Sequence, residues 1–114
     1  MRIIIFAVTF LVLGLTSNLC FAKSYSATQL FKFYNSNKFP KVGKSETQTK
    51  IMSFESCKEG VEKTVSGFAG AIPSKEIVNT VSIYMVKIWT NESEMLFNCS
   101  GPDEKMTIVI SPYI

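Results

Sequence analysis

Residues 80–111 read TVSIYMVKIWTNESEMLFNCSGPDEKMTIVIS. Three runs rich in β-branched and aromatic side chains, about Thr80 to Trp89, Glu94 to Ser100 and Lys105 to Ser111, are separated by Thr90-Asn91-Glu92-Ser93 and Gly101-Pro102-Asp103-Glu104, whose residue types favour turns. Folding the runs back through those turns sets a register. Cys99 then faces Tyr84 on one neighbour and Met106 on the other, Phe97 faces Val86 and Ile108, and Met95 faces Ile88 and Ile110. All of these side chains fall on one face, which predicts a three-stranded antiparallel meander with an apolar side to cover.

The cover lies just upstream. Phe54, Cys57, Val61, Val65 and Phe68 recur at three- and four-residue steps and form one stripe of an amphipathic helix. Ser53 or Ser56 is placed to cap it, the latter with Glu59 in the reciprocal position, while Gly67, Gly70 and Pro73 stop it. Its opposite side carries Glu55, Lys58, Glu59, Glu62 and Lys63, a solvated surface with pairs at helical spacing rather than a carboxylate site. Further upstream, Thr47 to Ser53 reads as a weak edge strand, Asn35 to Lys44 as loop, and Ser26 with Gln29 as a capping box opening a short helix through Tyr34. The fold class expected is α+β: a small single domain with one main amphipathic helix on a three- or four-stranded antiparallel β-meander, preceded by a short N-terminal helix.

The first residues have a different character. Arg2 precedes an apolar run from Ile3 to Leu15, too short for a bilayer span, and Cys20-Phe21-Ala22 sets residues suited to signal cleavage before Lys23. Residues 1–22 therefore read as a secretory signal peptide, leaving a mature chain of about 92 residues with no membrane span. The expected location is periplasmic or secreted. Cys57 and Cys99 remain after cleavage, and an oxidising compartment closes such a pair. Closing a loop of about 43 residues stabilises the fold by roughly 4 kcal/mol in the chain-entropy view, which matters for a core this small.

Charge divides the mature chain. Lys23, Lys32, Lys38, Lys41, Lys44 and Lys50 stand against Glu46 alone, whereas residues 51–114 are net acidic. The expected organisation is thus a signal peptide at 1–22, a less firmly held basic segment at 23–50, and the helix and meander at 51–114. The lysines serve either as a solubilising surface or, with Lys32, Lys38, Lys41 and Lys44 among Phe31, Phe33, Tyr34 and Phe39, as a surface for anionic lipid headgroups or envelope polymers.

Motifs for chemistry are missing. The chain has no histidine, no Ser-x-x-Lys and no Gly-x-Ser-x-Gly, and Gly43-Lys44-Ser45 lacks the earlier glycine of a phosphate loop because Lys38 stands there. Glu92, Glu94, Asp103 and Glu104 sit at or beside turns. Met52, Met85, Met95 and Met106 suit soft metals, but Met95 and Met106 belong to the expected core face. The sequons at Asn91 and Asn98 matter only in a eukaryotic secretory pathway. No catalytic residue, metal or cofactor is expected, and no nucleic acid, since no arginine follows Arg2.

What remains is binding. The expected function is that of an exported non-catalytic envelope protein that binds another protein, as an inhibitor, immunity or accessory protein does. The alternative is a module adhering to anionic surfaces through the basic segment. On the meander face opposite the core, Lys87, Leu96 and Val109 form a row with Trp89 beside it, the candidate partner face. The competing arrangement folds the N-terminal segment over that face and buries Leu30, Phe31 and Phe39 against Leu96 and Trp89.

Overall fold

A computed structural model describes residues 23–114. The signal-peptide reading of residues 1–22 lies outside the described residues. In chain order the elements are α1 (Ala27–Ser36), β1 (Glu46–Ile51), α2 (Phe54–Phe68), β2 (Ser74–Asn79), β3 (Ile83–Trp89), β4 (Ser93–Ser100) and β5 (Lys105–Pro112). The strands make one antiparallel sheet in the order β1-β5-β4-β3-β2.

The architecture is α+β with two helices and five strands, so the expected three- or four-stranded meander is too small. The central register is the one set by the turns: Cys99 opposes Tyr84 and Met106, Phe97 opposes Val86 and Ile108, and Met95 opposes Ile88 and Ile110. The additional strand is β2, which also moves the start of the next strand from Thr80 to Ile83. Its sequence Ser-Lys-Glu-Ile-Val-Asn lacks clean alternation because it lies at the sheet edge and is interrupted by a bulge between Glu76 and Val78. Thr80 makes the connecting turn: its Oγ1 accepts from the N–H groups of Ser82 and Ile83, and its own N–H donates to Ile83 C=O.

Both helices begin as their sequences dictate. Ser26 Oγ accepts from Gln29 N–H at 3.2 Å while Gln29 Oε1 accepts from Ser26 N–H at 2.9 Å, closing the capping box of α1. Asn37, left-handed at φ 57°, ends that helix. Ser53, not Ser56, caps α2, accepting from Ser56 N–H, and Glu55 in the first turn complements the helix dipole. Gly70, at φ 86°, turns the chain away after α2, a conformation that side chains with a Cβ resist.

α2 packs on β3, β4 and β5. Cys57 and Val61 on its buried stripe join Tyr84, Val86, Ile88, Phe97 and Cys99 in the core. The Cys57–Cys99 disulfide, with Cα atoms 5.7 Å apart and a sequence separation of 42, pins the helix to the sheet. Such a bond is compatible with an oxidising compartment.

The basic segment is woven into this body rather than lying loose beside it. Leu30 of α1 is 1% exposed, Val42 bridges to Tyr113, and β1 pairs along β5 from Glu46↔Ile110 to Ile51↔Lys105. Sequence periodicity misses this because α1 supplies a single fully buried residue and β1 none.

Candidate functional site

The sheet face turned away from α2 carries the row Lys87, Leu96 and Val109 through direct cross-strand pairing. Thr47 of β1 and Lys75 of β2 extend it to both edges. A second row runs Val78, Met85, Asn98, Thr107 and Thr49. At the centre, Met85, Lys87, Leu96, Asn98, Thr107 and Val109 all remain partly exposed. Asn98 Oδ1 is buried there without a hydrogen-bond partner among the described residues. A shielded carbonyl oxygen without a donor is costly, and here it lies between a methionine and a threonine in mid-face.

Trp89 does not share that exposure. It is 3% exposed and belongs to the core, so it is not available as a surface anchor. The Phe39 ring stacks on the indole at 4.4 Å with an 8° interplanar angle, and the Tyr34 ring meets it edge-on at 5.7 Å. Glu94, directly opposite on β4, accepts the indole Nε1–H at 3.1 Å through Oε1 and pairs with Lys87 Nζ at 3.5 Å through Oε2. The indole is therefore held on its face by the N-terminal segment and at its edge by a carboxylate. Of the covering arrangement expected from sequence, Leu30 and Phe39 take part; Phe31 stays partly exposed beside Lys32.

The same end of the sheet is closed by Tyr113, which the alternation of β5 does not foretell because it follows Pro112. It is 0% exposed, its hydroxyl donates to Thr90 C=O at 2.9 Å, and its ring meets Tyr25 edge-on at 5.2 Å. Burial, then the negative charge of Glu94 and the neighbouring Tyr25, raises its pKa well above the ordinary tyrosine range. Tyr84 is also shifted upward, first by burial and then by the charges of Glu62 and Glu76. Tyr25 ties α1 to the β3–β4 turn: its N–H donates to Asn91 C=O at 2.8 Å, and its C=O accepts from Asn91 Nδ2 at 2.7 Å.

The lysines of the basic surface are distributed along α1 and the loop to β1. Lys32, Lys38, Lys41 and Lys44 are all exposed, and among the described residues the one ion pair is Lys87–Glu94. Lys32 and Lys38 flank a groove of about 520 Å³ whose walls include Tyr25, Phe33 and Phe39. Lys41 and Lys44 lie beyond it, with Lys44 beside Ile110 and Pro112. Two of these lysines therefore line one groove, and Lys44 lines another.

Among the described residues no cluster of three or more metal-ligating side chains occurs, and no helix is long and apolar enough to cross a membrane. Met52 and Met106 line a small recess beside the disulfide with Val61 and Phe97, in keeping with a packing role. No protein family, curated protein or solved structure matches this chain.

Proposed function

We propose that this chain is a non-catalytic binding protein of an oxidising extracytoplasmic compartment, periplasmic or secreted, which docks another protein on the outer sheet face. The observation that carries the reading is the centre of that face. Met85, Leu96 and Val109 are partly exposed on the side of the sheet opposite α2, and Asn98 Oδ1 among them lacks a donor among the described residues. A partner supplying apolar side chains would bury Met85, Leu96 and Val109. Lys87, in the central row, is paired with Glu94, so its charge there is not left alone. Trp89, on the same face but covered by Phe39 and Tyr34, does not touch the partner.

The test is capture from the exported fraction by the wild-type chain and by Leu96→Lys, with bound proteins identified by mass spectrometry. A partner held through this face is retained by the wild type and lost from the variant, while the two chains melt alike. Equal retention by both would move the interface elsewhere.

A second reading rests on Lys32, Lys38, Lys41 and Lys44, which are exposed and outside any ion pair among the described residues. They suit adhesion to an anionic envelope surface. Binding of that kind weakens steeply with salt, whereas docking on the apolar centre of the sheet does not.

A further inference from the structure

The two edges of the sheet are unlike. β2 follows buried Pro73 and carries a register shift between Glu76 and Val78, features that blunt an edge. β1 has neither: it pairs without interruption from Glu46 to Ile51, and all its residues are exposed. Met52 N–H donates to Glu104 C=O at 3.0 Å, continuing the pairing in which Ile51 opposes Lys105. Alternation along the strand then directs the backbone groups of Lys50, Gln48 and Glu46 toward β5, and those of Thr47, Thr49 and Ile51 toward the free edge.

The residues of this edge are self-complementary. Glu46-Thr47-Gln48-Thr49-Lys50 places opposite charges symmetrically about Gln48. In an antiparallel pair of two such strands centred on Gln48, Thr47 and Thr49 of the two copies exchange N–H···O=C bonds through their outward groups. Glu46 then stands opposite Lys50 of the second copy, twice, in the closely spaced pairing that lacks backbone bonds and brings side chains nearest. Moving the centre by one residue to Thr47 instead sets Lys44 against Lys50, a like-charge contact. Charge thus selects one register.

We propose that β1 is a homodimerisation edge, joining two copies of this chain about a twofold axis through Gln48 into one continuous antiparallel sheet. The axis is perpendicular to the sheet, so both α2 helices lie on the same side and both outer faces merge on the other. The proposal does not depend on the outer-face reading, and Leu96→Lys leaves it untouched.

Sedimentation velocity over a concentration series tests it with the purified wild type, Glu46→Lys, Lys50→Glu and Thr49→Pro. The wild type should show a reversible monomer–dimer equilibrium. Each charge reversal alone should raise the dissociation constant about tenfold, because two opposite-charge contacts become two repulsive ones. Mixing the two reversed variants should restore association as a heterodimer, since both contacts then become Lys–Glu pairs. Thr49→Pro should abolish dimers while keeping the circular dichroism spectrum, because its N–H faces away from β5. A wild type that stays monomeric throughout, a dimer indifferent to both reversals, or a mixture that fails to recover would overturn the proposal.

Discussion

Trp89 is the only tryptophan in the chain, so its environment can be read directly by fluorescence. Replacing it with alanine removes an indole that is nearly inaccessible to solvent, stacked by Phe39 at 4.4 Å and hydrogen-bonded to Glu94. Buried aromatic-to-alanine changes cost about 3–5 kcal/mol, and the Glu94 carboxylate loses a donor in addition, so we expect about 4 kcal/mol of destabilisation. Phe39 is only partly buried, and Phe39→Ala should cost about half as much. Because the rings stack, the double variant should be less destabilised than the sum of the two singles by about 1 kcal/mol. Urea denaturation followed by far-UV circular dichroism measures all three. In parallel, Phe39→Ala should shift native tryptophan emission to longer wavelength, since it uncovers one face of the indole. If Trp89→Ala melted like the wild type, or the two substitutions were strictly additive, the N-terminal segment would not be anchored on Trp89 and the account of the sheet end would fail.

Other consequences follow from the same geometry. Verified reduction of Cys57–Cys99 should destabilise the protein by roughly 4 kcal/mol and lower the melting temperature by about 15–30 °C; an unchanged melting curve would show that the bond is structurally idle. Tyr113 and Tyr84 have folded pKa values raised above their ordinary value of 10.0, so the stability they lend is full below that pH and is lost as pH rises above it. Tyr113→Phe should flatten that alkaline decline and, at neutral pH, cost about 1 kcal/mol for the bond to Thr90; an alkaline decline as steep as the wild type's would contradict the assignment. Ser26→Ala should cost about 1 kcal/mol through the lost cap and speed hydrogen exchange in α1; exchange unchanged across Ala27–Ser36 would mean that packing alone holds that helix.

Local sequence determined those parts of the fold whose side chains must alternate between a wet and a dry side. The α2 stripe from Phe54 to Val65, though not Phe68, which is exposed, and the register of β3, β4 and β5 were legible because burial on one face imposes a period, and turn residues leave few ways to satisfy it. The cysteine pair was legible because both residues fall on surfaces that this register brings together. The edge strands were less so: β1, exposed throughout, showed only as a weak strand at Thr47 to Ser53, and β2, exposed nearly throughout, was missed, because no period is imposed on them and their existence depends on the neighbours that offer free N–H and C=O groups. Trp89 belongs to the same class of question. Its position on the same face as Lys87 and Leu96, opposite Glu94, could be counted along the strand, yet whether it met solvent or Phe39 depended on where a segment some fifty residues earlier came to rest. Only the tertiary structure decides that, since burial of a sheet face is set by what packs on it, and packing between distant segments leaves no local spacing to read.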